Sequence, residues 1–388
     1  MWATVRRMAH LRTLGALLLV IVPALAAAQP ARRITTERLA IEVSTVHRGL
    51  EHPWGVAFLD SGRLVVTERV GRLRLFDQAS GLSEPLRGVP AVFARGQGGL
   101  LDVALDPHFE TSRLVYLTYA EPFDSGRAAT AVLRARLVAD GEPRLEDARV
   151  IFRQLPPVES PGHFGSRLAF ARDGSLFVTL GERQASYFAV RAQDLETHFG
   201  KVVRIMPDGA PPPDNPFLSV PGAQPHIWSY GHRNVQGAAI HPDSGELWIV
   251  EHGPKGGDEL NIVKRSANYG WPVVTYGRAY SGGIIGLGQE RPGMERPVHY
   301  WVPSIATSSL MFYTHERLAP WRGSAFVSGL YGVLARLEID ADRVVHEERL
   351  LEEINERIRT VAQAPDGSIY LLTDGAQGAI LRIDGAAR

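Results

Sequence analysis

From about residue 50 to the C-terminus, short apolar runs alternate with polar turns, and the unit recurs. Residues 55–67 read GVAFLDSGRLVVT; residues 101–109 and 114–119 read LDVALDPHF and LVYLTY. The same form returns at 166–179 (SRLAFARDGSLFVT), 237–250 (GAAIHPDSGELWIV) and 360–373 (TVAQAPDGSIYLLT), with a degenerate copy at 309–313 and 323–328. Each copy is two runs of β-formers around a turn, often Asp-Gly or Ser-Gly, the pattern of a hairpin. Third strands follow at 72–76, 260–263, 334–339 and 379–383. Six copies over about 350 residues leave roughly 60 residues each, enough for a four-stranded blade with long loops. A lone hairpin is marginal, whereas a ring of stacked sheets buries both faces of each. The pattern therefore predicts an all-β, six-bladed β-propeller. A pair of β-sandwiches is the alternative, but it does not call for such even dispersal. No long amphipathic helix is expected in the propeller, and the proline-rich tract 209–216 reads as a surface loop, not a domain boundary.

The N-terminus breaks this pattern. Arg6, Arg7 and Arg12 precede an apolar run, 14–24, that ends in Ala26, Ala27 and Ala28. A basic region, an apolar core and small residues at the end predict a signal peptide, residues 1–28, cleaved after Ala28. The run is too short to span a bilayer comfortably and contains Pro23. Residues 29–388 are then expected to form one propeller domain in the periplasm or outside the cell. No later stretch is apolar enough to cross a membrane.

Composition narrows the function classes. The 388 residues are 45% hydrophobic and 22% charged, with 42 basic and 42 acidic side chains. Loss of the leader removes three arginines and no acid, which takes the balance to about −3. Nothing in this charge attracts a polyanion, so nucleic-acid binding is disfavoured. Cysteine is absent, which excludes thiolate zinc sites and a catalytic thiol.

Polar residues concentrate at the heads of the repeats. Gln97 lies in a glycine-rich loop before the second unit, and glycine lets backbone approach a ligand closely. His163 lies between glycines before the third unit, where a neutral imidazole suits a proton acceptor. Arg233 and Asn234 precede the fourth, with His232 as a competing base. Between them they suit an anionic or carbonyl-rich ligand. After that hairpin, Gly253 and Pro254 offer backbone carbonyls, and Asp258 and Glu259 carboxylates, to a hard cation. Arg357 and Arg359 head the sixth unit at alternating positions, placed to clamp carboxylates. Each of these also reads singly as a plain turn, a structural histidine or a solvated strand edge. No Gly-x-Ser-x-Gly elbow, Walker A loop or dinucleotide fingerprint is present.

Together the segments EHPWGVAFLDSGRLVVTER, GQGGLLDVALDP, HFGSRLAFARDGSLFVTLGER, AQDLETHFGKVVRI with DNPF, YGHRNVQG, EHGPKGGDELN, NYGWP and RIR resemble the soluble aldose sugar dehydrogenases that use pyrroloquinoline quinone (PQQ). The resemblance runs from about Gly49 to the C-terminus. It implies a propeller with the quinone over its central mouth, and oxidation of an aldose sugar at C1 to a lactone. It implies His163 as the base on the anomeric hydroxyl, with hydride passing to the quinone. Arg233 would stabilise negative charge on a quinone oxygen; Gln97 and Asn234 would bind cofactor or substrate. Gly253 and Pro254 would offer carbonyls to calcium, and Glu259 and the Tyr269 carbonyl would hold a further calcium. Tyr280 would wall the cofactor, and Arg357 and Arg359 would pair with its carboxylates. Where the family carries a cofactor-contacting lysine in the fifth blade, this chain has Tyr331. A soluble electron acceptor and a monomer or homodimer are expected. The alternatives are a calcium-dependent lactonase-type propeller and a non-enzymatic propeller that binds a glycan or a protein.

Overall fold

A computed structural model of the chain describes residues 31–386; the leader read at 1–28 lies outside them. The strands form six antiparallel sheets, in chain order around a ring. The first blade comprises Pro53–Phe58, Arg63–Glu68, Arg72–Asp77 and Gly81–Leu82. The second runs Leu100–Leu105, Leu114–Pro122, Ala128–Val138 and Arg144–Arg153. Leu168–Phe170, Leu176–Leu180, Lys201–Ile205 and Ile227–Tyr230 make the third. Val235–Ile240, Leu247–Glu251, Asp258–Val263 and His299–Trp301 make the fourth. The fifth holds Thr307–Phe312, Ala325–Gly329, Val333–Asp340 and Arg343–Leu350. In the sixth, Ile358–Gln363, Ile369–Thr373 and Gly378–Gly385 are completed by two strands from the start of the chain, Ala40–Leu50 and Arg32–Thr35.

This is the six-bladed propeller that the repeats predict. What they do not predict is its closure. Ala40–Leu50 pairs antiparallel with Gly378–Gly385, from Ile41 opposite Gly385 to Leu50 opposite Gly378. The second strand of the described residues thus pairs with the last strand and closes the ring.

The core lies between blades. Six apolar clusters occupy the six interfaces of neighbouring sheets. Alternation along each strand sends consecutive residues to opposite interfaces. Val115 and Leu117 pack toward the first blade, while Tyr116 between them packs toward the third. Both faces being buried, the inner strands are continuously apolar, which is why the repeats stand out in the sequence. Helix among the described residues is confined to short segments such as Phe109–Ser112 and Glu316–Trp321. The proline-rich tract is a loop within the third blade, between its third and fourth strands. No helix among the described residues is long and apolar enough to cross a membrane.

Arg167, at the head of the third blade, reaches all the others. Its guanidinium donates to Asp102 Oδ1 at 3.0 Å, Gln236 O at 2.7 Å, Ser308 O at 2.8 Å, and Arg359 O and Thr360 Oγ1 at 3.2 and 2.8 Å. It lies 4.0 Å from the centre of the Trp54 ring. These partners come from the second, fourth, fifth, sixth and first blades. Burial lowers its pKa to about 10, which still leaves it charged at neutral pH.

Candidate active site

Two positions per blade recur at one end of the ring. An antiparallel hairpin returns the chain to its starting end. The residue before the first strand therefore stands beside the residue after the second. Arg69 N–H donates to His52 O at 3.1 Å in the first blade, and Asp374 N–H to Arg357 O at 2.7 Å in the sixth. Such residues line a cavity of about 420 Å³: His52, Arg69, Gln97, Asn234, His252, Leu330, Arg357, Arg359 and Asp374, floored by Trp54, Phe164 and Gly165. That size is typical of a small-molecule site.

His163 sits beside the cavity at 4% exposure. Its backbone is left-handed, φ 48°, unfavourable for a side chain with a Cβ and common at sites held for function. Gln97 holds it there, accepting the His163 N–H on Oε1 at 2.8 Å. Asn234 Oδ1 accepts the Gly165 N–H at 3.1 Å in the same loop. His163 Nδ1 lies 3.0 Å from Glu182 Oε1, though the ring N–H is not aimed squarely at the oxygen. Nε2 makes no hydrogen bond among the described residues. Burial is the main cause lowering the His163 pKa, and the nearby Arg233 charge adds to it. Glu182 opposes both. The imidazole is thus neutral, with one nitrogen free.

Arg233 is buried and lies 5.3 Å from the Trp271 ring centre. Its main-chain N–H donates to Glu251 Oε2 at 2.7 Å, and Nη1 to the carbonyls of His252 and Gly253 at 3.1 and 2.8 Å. Its Nε is buried with no acceptor. The competing base, His232, does not line the cavity. It is fully buried, with Nδ1 on Glu251 Oε1 and Nε2 on Ser229 Oγ, both at 2.9 Å, and stacks on Tyr269. Both its nitrogens are engaged, so it is a structural residue. His252 does line the cavity; burial lowers its pKa to about 4, partly offset by Asp258.

Arg357 and Arg359 share the cavity wall, as alternation along the strand requires, but they differ. Arg359 is buried, with Nη2 on Asp374 Oδ2 at 2.6 Å and Nη1 on Gln236 Oε1 at 3.0 Å. Arg357 is half exposed and 3.7 Å from Asp374. His52 Nδ1 contacts the other oxygen of Asp374 at 2.9 Å. Asp102 and Asp374 are thus each committed to an arginine.

Beyond Arg233, a small hole is lined by Glu251, Glu259, Tyr269 and Gly257. Among the described residues Glu259 receives a single hydrogen bond, from Asn261 Nδ2 at 3.1 Å. Burial, and then the Glu251 charge, push its pKa up to about 8. The Tyr269 carbonyl accepts nothing among the described residues. Among those residues no group of three His, Asp or Glu side chains converges on a metal-sized point, so a cation here would rely on main-chain oxygens. The Pro254 carbonyl is free, whereas that of Gly253 is taken by Arg233.

Tyr280 and Tyr331 are brought together, but outside the central cavity. Both are exposed and face a separate cleft with Pro254, Lys255, Arg278 and Val302. The chain turns outward after Leu330, with Gly332 at φ 86°, and carries Tyr331 to the rim.

Residues 50–382 match the family model described as glucose/sorbosone dehydrogenase. The chain belongs to that family. It is 43% identical over 347 residues to the aldose sugar dehydrogenase YliI of Escherichia coli, covering 88% of this chain and 92% of the relative. A crystal structure of a glucose dehydrogenase is 50% identical, with a TM-score of 0.86 over 89% of this chain and 99% of that one. The PQQ-bound form of an aldose sugar dehydrogenase from Streptomyces coelicolor is 30% identical, with a TM-score of 0.73 over 90% and 99%.

For this member of the glucose/sorbosone dehydrogenase family, the pattern of repeats points to the heads of the blades and, at the tails, to Gly253 and Pro254 alone. Arg69, Glu182, His252 and Asp374 all follow second strands and were not singled out. The signal for them is topological: each is the first or second residue after a buried second strand, at the end of the sheet where the first strand begins.

Proposed function

We propose that this chain is an aldose sugar dehydrogenase that oxidises its substrate at C1 to the lactone, with bound PQQ and calcium, and that it works in the periplasm or outside the cell. The observation that carries this reading is a buried, neutral His163 paired with Glu182 and set beside Arg233, next to a cavity with a cationic wall. When bound, the quinone supplies the two-electron acceptor for the hydride leaving the sugar carbon.

The chain's own residues supply the rest. His163 Nε2 takes the proton of the anomeric hydroxyl, and Glu182 stabilises the imidazolium that forms. General-base help of this kind is worth roughly 10²–10⁴-fold. Arg233 Nε, a buried donor without an acceptor, is placed to donate to an oxygen that gains negative charge. Gln97 and Asn234 keep the base loop in its left-handed conformation and face the same cavity. Arg357 is free to pair with a carboxylate, and Arg359 presents a buried Nε without an acceptor. A planar tricarboxylate needs such donors. For calcium, the free Pro254 carbonyl, with Gly253 beside it, is a hard oxygen donor near Arg233. Glu259 with the Tyr269 carbonyl offers a second place, where a divalent ion would relieve the crowding of Glu259 against Glu251. A soluble acceptor would take up the electrons.

Adding PQQ and calcium to the apo-protein, and following dye reduction with a panel of aldoses, tests the reading. Aldose-dependent reduction that requires both additions supports it. Lactone hydrolysis without quinone, or no quinone binding at all, overturns it.

A further inference from the structure

Arg69 lines the central cavity but has no role in the chemistry assigned to His163, Glu182 and Arg233. It follows the second strand of the first blade, the place held by Glu182 in the third, His252 in the fourth and Asp374 in the sixth. Its backbone is fixed on both sides, N–H to His52 O and carbonyl from Leu100 N–H, each at 3.1 Å. Its side chain lines the central cavity. Nη1 donates to Gly96 O at 3.1 Å, and Nε is buried with no acceptor. Among the described residues no carboxylate lies within ion-pairing distance of it.

The charges of the wall do not balance. Arg69, Arg357 and Arg359 share it with one carboxylate, Asp374. Arg359 holds that carboxylate at 2.6 Å, and His52 holds its other oxygen. Arg357 reaches that same carboxylate only at 3.7 Å, and Arg69 reaches none among the described residues, so one carboxylate serves three guanidiniums. Unpaired cations partly removed from water are costly unless an anion completes them. Guanidinium suits carboxylate because its fork matches two oxygens.

We propose that Arg69 is a further ligand-binding residue, which pairs with one carboxylate of a polycarboxylate ligand while Arg357 pairs with another. This supplies from the first blade a cation that Tyr331 does not supply from the fifth. The inference rests on the proposed function only in taking PQQ as the polycarboxylate.

The test measures binding, not turnover. Apo-protein with calcium is titrated with PQQ by absorption and tryptophan fluorescence, and apo-protein alone with citrate by thermal shift. Arg69→Gln should weaken PQQ binding by roughly tenfold or more, the worth of a charge-assisted hydrogen bond. It should also shrink the citrate-induced rise in Tm. Arg69→Lys, which keeps the charge but not the fork, should fall between; it is read alone if Arg69→Gln does not fold. Unchanged affinity for both ligands in the variants overturns the proposal. If wild type ignores PQQ, yet citrate stabilises it through Arg69, the anion site stands and the quinone reading fails.

Discussion

His163 Nδ1 lies 3.0 Å from Glu182 Oε1, and both side chains are almost fully buried. The hairpin Leu168–Phe170 to Leu176–Leu180 makes this contact. Leu168 pairs with Val178, so the residues flanking the two strands meet at one end of the sheet. If His163 is the base, His163→Ala lowers kcat by roughly 10²–10⁴-fold with quinone affinity largely kept. Glu182→Gln, which keeps the shape but not the charge, lowers kcat by about tenfold or more. Steady-state kinetics with a separate quinone titration check both; unchanged kcat in either variant removes that residue from the mechanism.

The environment of His163 sets a pH dependence. Burial and Arg233 depress its pKa and Glu182 raises it. The neutral base therefore persists to lower pH than a free histidine, whose pKa is about 6.5. The acidic limb of kcat/KM should fall below that value. Glu182→Gln removes the raising influence, so the limb should move further down. A limb that moves up in Glu182→Gln contradicts the assignment.

Glu259 supplies a calcium prediction. Its carboxylate has one hydrogen-bond partner among the described residues and stands beside Glu251. Calcium added to apo-protein should raise Tm, and the rise should be smaller in Glu259→Gln. That variant should be at least as stable as wild type without calcium, since it removes a crowded carboxylate. Thermal unfolding with and without a chelator measures this. An identical calcium response in the two proteins places the ion elsewhere.

Arg167 and Asp102 make a stability prediction. Arg167→Met strands Asp102 in a buried site and removes contacts to the neighbouring blades. Breaking a buried pair from one side costs about 3–5 kcal/mol. Denaturant unfolding of Arg167→Met should show a loss of that order. Adding Asp102→Asn should recover part of it. A loss below about 1 kcal/mol would mean that the axis does not depend on this charge.

Much of the fold was legible because each blade is a local object. Strands 55–67 and 360–373 announce their hairpins through neighbours in sequence, and doubly buried strands stay apolar along their length. The heads of the blades were legible for a related reason: Gln97 and His163 stand in glycine-rich loops, and Arg357 and Arg359 on a short run before a recognisable strand. Closure through Ala40–Leu50 was not legible, because its partner, Gly378–Gly385, lies more than 300 residues away and no local pattern joins them.

By itself, then, the sequence determined the number of sheets, the faces they bury and one half of the cavity rim. Tertiary structure alone decided the other half. It set Glu182 on His163, Asp374 on Arg359, and His232 away from the cavity with both nitrogens engaged. It also carried Tyr280 and Tyr331 out to a shared cleft and left Arg69 without a carboxylate. The reason is physical. Periodicity reports whether a residue faces the core, but pairing among polar side chains depends on which turns the ring brings to one end. That is settled only when six sheets close around an axis.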